Sequence, residues 1–286
     1  MIESALLDFE NVKKVYKDFE LHVNLKVEPG YITGLIGPNG AGKTTAFKSA
    51  LGLIHTDGGR LKVFGKPAEE LAPSDRENIG VVLADSGFSS ALKVKELLPV
   101  LSHLYPAFSR QEFIRQCDRF EIPMEKKIGQ FSTGMKRKLQ VLAAVSHGAS
   151  LLILDEPTAG MDVIARDQLL SLLREYMETD GRSILISSHI SSDLEGFCDD
   201  IYLIHEGKIL LHEETDRLLN QYGLLKVTKE QYAALDQRYI LKTRKEGFGY
   251  SCLTDQKQFY MENYPQIIIE RGSIDELILM MNRRDA

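Results

Sequence analysis

The chain has few cysteines, no long apolar run and no excess of basic charge. Its three cysteines, Cys117, Cys198 and Cys252, lie far apart and fit no metal-ligand spacing, which argues against a cysteine-held metal or a disulfide framework. An odd, sparse set of thiols points instead to a reducing compartment. No segment reaches the ~18 consecutive apolar residues that a membrane-spanning helix requires. The first ten residues, MIESALLDFE, carry acids and no apolar core, so they do not read as a signal peptide. Net charge is −6 and the pI about 5.7, which gives no support to a nucleic-acid surface or an anionic-membrane surface. Hydrophobic residues make up 43% of 286, an ordinary share for a globular chain long enough for two domains.

The informative residues are concentrated in two places. Residues 37–45 read GPNGAGKTT and fit G-x-x-x-x-G-K-[ST] through Gly37, Gly42, Lys43 and Thr44. YITGLI before them reads as a buried strand, and AFKSALGLI after them has helical spacing. In a strand–loop–helix of this kind, backbone N–H groups turn inward around phosphate oxygens and the helix N-terminus adds positive charge. Lys43 can reach the β- and γ-phosphates, and the Thr44 hydroxyl can ligate Mg²⁺. A plain glycine turn is the bland alternative, and the complete flanking context weighs against it.

The second concentration is residues 131–162, FSTGMKRKLQVLAAVSHGASLLILDEPTAGMD. A Ser-x-Gly turn opens a basic, amphipathic segment; a buried strand, LLIL, then ends in Asp155 and Glu156. Carboxylates at the C-terminal end of such a strand lie where open α/β sheets bind ligands. There Asp155 would hold Mg²⁺, and Glu156 would orient or deprotonate an attacking water. Alone, D-E-P is only a polar strand end leading into a turn; downstream of a phosphate loop it is far more specific.

These motifs, in this order over about residues 3–215, resemble the ATPase subunit of an ATP-binding cassette (ABC) transporter. The resemblance implies an α/β P-loop cassette: a mixed sheet core, an antiparallel β subdomain and an inserted helical subdomain. GPNGAGKTT is similar to the Walker A loop, so Gly37, Pro38, Asn39, Gly40, Ala41, Gly42, Lys43, Thr44 and Thr45 are implied to hold ATP. FSTGM resembles the family signature, with Ser132 and Gly134 as the implied phosphate contacts. LLILDE resembles Walker B, with Glu156 at the catalytic position; AGMD resembles the D-loop, and ISSHI places His189 at the switch-histidine position. Tyr16 lies at the position that stacks on adenine. The implied cofactors are ATP and Mg²⁺, the latter held by Thr44 and Asp155.

Two departures from the family pattern stand out. The signature has Thr133 and Met135 where glycine and glutamine are usual. After the strand IGVVL, Ala84 stands where a glutamine is usual, and alanine has no oxygen for a metal; Asp85, one residue on, is the substitute metal ligand. Other positions keep ordinary readings beside the functional ones. Tyr16 could be a strand-edge aromatic, and His189 a satisfied structural histidine ahead of a capping-box helix start from Ser192 to Glu195. The remaining histidines match no ligand spacing, and Lys136, Arg137 and Lys138 read as the solvated or partner-facing side of the signature helix.

The organisation follows from patterning. A cassette is expected over residues 1–218, with a helical subdomain at about 86–149 in which Ser109 and Glu112 form a capping box and Pro99 interrupts VKELLPVLSHL. YLIHEGKILL reads as a hairpin turning near Gly207. Residues 219–286 form a small accessory α+β unit: strand, helix, strand, strand, helix, strand, helix, the first six in the split βαβ order of a ferredoxin-like fold. No catalytic constellation appears there, and a dimer-stabilising or regulatory role is the expectation.

The resemblance further implies a head-to-tail pair of ATPase subunits, a second copy or a homologue, in which the signature of one closes on the ATP of the other. It also implies a separate integral membrane subunit, a peripheral position at the inner face of the cell membrane and no nucleic-acid partner. In its details the chain looks most like exporters of antimicrobial or cytolytic peptides. The competing readings are a soluble ABC ATPase of translation or repair, and an ATP-sensing module without turnover. Replacing Lys43 with Ala should remove most nucleotide affinity by titration with a fluorescent ATP analogue; unchanged binding would refute the phosphate-cradle reading.

Overall fold

The computed structural model describes residues 5–272 and 274–282. Strands β1 (Leu7–Val15) and β2 (Glu20–Val27) form a hairpin, and β3 (Ile32–Ile36) leads through a glycine loop into helix α1 (Lys43–Ala50). Strands β4 (Gly58–Val63) and β5 (Lys66–Pro67) extend the hairpin, and a short helix α2 (Pro73–Arg76) precedes β6 (Ile79–Val82). Helices α3 (Leu97–Leu104), α4 (Arg110–Arg119) and α5 (Thr133–Val145) follow, then β7 (Leu151–Asp155), α6 (Val163–Met177), β8 (Ser183–Ser188) and α7 (Ser191–Glu195). Strands β9 (Asp200–His205) and β10 (Lys208–Glu214) and helix α8 (Thr215–Gln221) close this part.

All ten strands join one sheet in the order β5-β4-β1-β2-β10-β9-β3-β8-β7-β6. Strands β3 and β7 are buried at every residue and carry the continuous apolar runs expected of central parallel strands covered on both faces. Strand β2 alternates buried and open positions, as half-covered antiparallel strands do. Register sets up the site: Ile36 pairs with Ser188, and Asp155 with Ser187, so β3, β7 and β8 end side by side. The loops leaving those three ends share one edge of the sheet, where doubly wound folds bind ligands. The β9–β10 turn has Glu206 at φ 43° and Gly207 at φ 75°, the two left-handed residues a tight hairpin needs. Gly207 N–H donates to the Ala41 carbonyl at 2.9 Å, so this hairpin also supports the glycine loop.

In the helical region, the Ser109 hydroxyl accepts from Glu112 N–H at 3.2 Å and caps α4, as its sequence indicates. Phe113 and Cys117 of α4 point into the main core with Phe120. Pro99 falls within the first turn of α3, where its missing N–H has no intrahelical partner to lose. Helix α7 begins at Ser191, one residue before the start read from the sequence, with Ile190 rather than a polar residue at its N-cap.

The last part reproduces the element order read from the sequence. It comprises β11 (Gly223–Val227), α9 (Lys229–Ala234), β12 (Ile240–Lys245), β13 (Tyr250–Thr254), α10 (Lys257–Asn263), β14 (Ile268–Glu270) and α11 (Ile274–Asn282). Its antiparallel sheet runs β12-β13-β11-β14, so each βαβ unit is split by a strand of the other. Leu225, Val227, Cys252 and Tyr260 make a small core of their own. Leu224 and Leu253, one register position away, face the other side and join the main core. Replacing Phe113, fully buried, with Ala should cost about 3–5 kcal/mol and lower the denaturant midpoint accordingly; an unchanged midpoint would contradict its place in the core.

Candidate active site

The glycine loop is shaped by close approach as much as by flexibility. A Cβ on Gly37 would lie 2.2 Å from the Ile204 carbonyl oxygen, and one on Gly42, at φ 112°, would lie 3.0 Å from the Phe19 ring. Glycine alone lets the loop pass here and turn its backbone toward an open cavity. The cavity is lined by Phe19, residues 39–45, Ala84, Asp155 and Glu156.

Lys43 is buried, and its ammonium donates to the Gly37 carbonyl at 2.6 Å and the Pro38 carbonyl at 3.3 Å. The same nitrogen lies 3.4 Å from Glu156 Oε1. Thr44 Oγ1 donates to Asp155 Oδ2 at 2.6 Å, and Ser187 Oγ donates to Asp155 Oδ1 at 2.6 Å. Ser187 Oγ also accepts from Glu156 N–H at 3.0 Å, tying consecutive carboxylate residues to the next strand. Glu156 has φ 51°, a left-handed conformation uncommon outside glycine and frequent where a site fixes a side chain. Its Oε2 accepts from His189 N–H at 3.2 Å and meets His189 Nδ1 at 2.5 Å. Its Oε1 is buried without a hydrogen-bond partner, 3.4 Å from the Lys43 ammonium. One acceptor is thus held ready, aligned by the histidine on the other oxygen.

The structure brings Lys43, Thr44, Asp155, Glu156 and His189 together. Four other sequence candidates do not line that cavity. Tyr16 is 45% exposed in the β1–β2 turn, its ring 6.3 Å from that of Phe19, and Phe19 rather than Tyr16 lines the cavity. Asp85 is paired with Lys48 at 2.6 Å and does not line the cavity; this hydrogen bond holds its carboxyl below the usual range. Ser132 and Gly134 open α5, with the Ser132 hydroxyl accepting from Met135 N–H at 3.2 Å, apart from the cavity of their own chain. A Cβ on Gly134 would lie 3.0 Å from the Gly160 carbonyl, so the signature turn packs on the AGMD turn.

Sequence reasoning missed Phe19 and Ser187. Phe19 stands just before β2 in the same turn as Tyr16, and Ser187 is one of two serines ending the apolar run of β8. It also misread Arg137. That guanidinium turns inward, donating to the Leu83 carbonyl at 2.7 Å and the Ala84 carbonyl at 2.9 Å. Strand β6 ends there with carbonyls that lack strand partners, and a planar fork satisfies two at once. Gln140 continues the clamp by donating to the Ser86 carbonyl at 2.6 Å. Of the basic trio, Lys136 is exposed while Arg137 and Lys138 are half-buried.

A glycine loop between strand and helix, a buried lysine and a hydroxyl–carboxylate pair at the adjoining strand end define a P-loop nucleotide-binding protein. The chain belongs to the ATP-binding ATPase subunits of ABC transporters, and a family model described as ABC transporter matches residues 21–159. It is 37% identical over 213 residues to the Nod factor export ATP-binding protein I of Burkholderia orbicola, covering 71% of this chain and 69% of that protein. It is 35% identical over 214 residues to the bacitracin transport ATP-binding protein BcrA of Enterococcus faecalis, covering 73% of this chain and 70% of that one. A solved ATP-binding subunit of an ABC transporter superposes with a TM-score of 0.67 at 27% identity, covering 76% of this chain and 92% of that one. A dimeric ATP-binding cassette in a post-hydrolysis state with ADP and Pi shares the fold, with a TM-score of 0.65 at 23% identity over 73% of this chain and 98% of that one.

The clamp of Arg137 has a measurable consequence. Replacing Arg137 with Leu should speed amide hydrogen exchange in residues 84–88 about tenfold while leaving nucleotide affinity unchanged, as expected for loss of local rather than global protection. Unaltered exchange would show that the guanidinium does not hold the loop.

Proposed function

We propose that the chain hydrolyses ATP in a head-to-tail pair of cassettes and thereby powers export through a separate membrane subunit. The observation that carries this reading is a buried Glu156 oxygen that has no hydrogen bond and lies 3.4 Å from Lys43, with a histidine fixing the other oxygen and Thr44 bonded to the adjoining Asp155.

Residues 37–45 would cradle the triphosphate, with Lys43 exchanging its carbonyl partners for β- and γ-phosphate oxygens. Thr44 and Asp155 form a hydroxyl–carboxylate set suited to Mg²⁺, and both remain hydrogen-bonded to each other until a ligand replaces that contact. When bound, the ion would neutralise charge on the phosphates. Water attacks the γ-phosphorus as its bond to the β–γ bridging oxygen breaks. Glu156 Oε1 accepts the proton of the attacking water, with His189 holding the glutamate in place. Asp85, engaged by Lys48, is not needed for this set. Adenine stacking falls to the turn that carries Tyr16 and Phe19.

Ser132 and Gly134 stand at the N-terminus of the thirteen-residue helix α5, whose backbone N–H groups suit an anion. Because they lie apart from their own cavity, they would serve the nucleotide of a second copy or a homologous subunit. ATP then stabilises the closed pair and hydrolysis releases it, a population shift set by differential contacts. Among the described residues no helix is long and apolar enough to cross a membrane, so the pathway would belong to a partner at the inner face of the cell membrane. An apolar groove between the end of β6 and α3, lined by Val81, Phe88, Val100, Leu104 and Tyr105, suits a helix of that partner. The relatives named for Nod factor export and bacitracin transport support an export role, and a peptide or hydrophobic cargo is the reading we attach to it.

Replacing Glu156 with Gln should preserve ATP binding and lower kcat by about 10²–10⁴, the usual contribution of a positioned base. With ATP and Mg²⁺ the variant should sediment as a dimer. A monomer that turns over at the parent rate would remove Glu156 from the mechanism.

A further inference from the structure

Helix α7 follows His189 by one residue and is held on two sides. On one side, Asp193 is buried and accepts from Thr158 Oγ1 at 3.0 Å and from Arg166 Nη1 at 3.0 Å. Thr158 lies two residues beyond Glu156, and Arg166 is in the first turns of α6, so this carboxylate ties the helix after the histidine to the segment after the catalytic strand. Arg174 of α6 adds a hydrogen bond to the Gly196 carbonyl at 3.1 Å, at the end of α7. On the other side lies α11, from the extreme end of the described chain. Its Ile274 N–H donates to Glu195 Oε1 at 3.0 Å, and α11 packs directly on α7. Ile274, Leu277 and Met280 are buried in the same apolar cluster as Leu194 and Phe197.

A five-residue helix has too few internal hydrogen bonds to fix its own position. Its placement must come from what packs on it. The Asp193 network supplies one wall and α11 the other, and His189 leads directly into the element between them.

We propose that α11 braces α7 and so holds His189 against Glu156, which makes Glu195 a positioning residue for hydrolysis and gives the C-terminal unit a direct influence on turnover. The proposal rests on the assignment of Glu156 and His189 made above. It requires no ligand for the C-terminal sheet. Withdrawing α11 frees one face of α7 and lets the imidazole leave Oε2. Nucleotide binding does not depend on this contact, because Lys43 and the glycine loop are held by β3, α1 and the β9–β10 hairpin.

The test uses the full chain carrying Glu195→Ala, Glu195→Gln or Leu277→Ala. Steady-state ATPase kinetics, affinity for a fluorescent ATP analogue and the imidazole ¹⁵N shifts of His189 are measured for each. Glu195→Ala and Leu277→Ala should lower kcat about tenfold, a barrier change of about 1.4 kcal/mol, with ATP affinity unchanged and the His189 shifts displaced. Glu195→Gln keeps an acceptor for Ile274 N–H and should restore both kcat and the shifts. Full kcat with undisplaced His189 signals in Glu195→Ala and Leu277→Ala would overturn the brace, as would a loss of ATP affinity parallel to the loss of kcat. His189→Ala separates the two levels: if it leaves kcat unchanged, the underlying assignment of His189 fails; if it slows turnover while the brace variants do not, only the brace fails.

Discussion

The structure depends on a buried carboxylate. Asp155 has no exposed surface, and an ionised group so placed is tolerated only when its oxygens are satisfied. Thr44 from the phosphate loop and Ser187 from the neighbouring strand satisfy them, one on each oxygen. Each of those contacts crosses between segments far apart in sequence, and each exists only because β3, β8 and β7 end in register. The sheet is thus arranged to bring one carboxylate to one edge, and its two hydrogen bonds in turn tie the phosphate loop and the strand end of β8 to that of β7.

The same economy extends to Glu156. Its left-handed backbone is an unfavourable conformation, stabilised by the Ser187 hydroxyl on its N–H and by His189 on its carboxylate. What the fold gains is direction: one oxygen is hydrogen-bonded, and the other is buried beside Lys43 without a hydrogen bond. Around this centre the connections radiate outward. Arg137 links the signature helix to the loop after β6, and the Asp193 network links the segment after Glu156 to the helix after His189. The signature helix, the loop beside the apolar groove and the C-terminal unit are thus connected to the site through hydrogen bonds.

Much of this was legible in the sequence. The glycine loop and the Asp155–Glu156 strand end follow from local patterns whose spacing is dictated by strand, turn and helix periods, while the role of His189 was implied by the family resemblance. The seven-element order beyond α8 was also legible, because short strand-like and helix-like runs are separated there by turns. What stayed hidden depends on register and tertiary approach. Ser187 is one polar residue ending an apolar strand, and only its pairing opposite Asp155 gives it a role. Phe19 and Tyr16 share a turn, and the rotation of that turn decides which ring reaches the cavity. Arg137 sits in a run of three basic residues, and only its approach to the Leu83 and Ala84 carbonyls after β6 singles it out.

The central claim is that one copy carries two half-sites, which serve different nucleotides. Cross-linking tests it most directly, since the native cysteines Cys117, Cys198 and Cys252 are all buried. Cysteines introduced as Gly40→Cys and Ser132→Cys, in separate chains that are then mixed, are oxidised with and without a non-hydrolysable ATP analogue. The account predicts a covalent two-chain product joining positions 40 and 132 only when nucleotide is present. A double variant carrying both changes that closes its link within a single chain, or a mixture that gives no two-chain product with nucleotide, would contradict it.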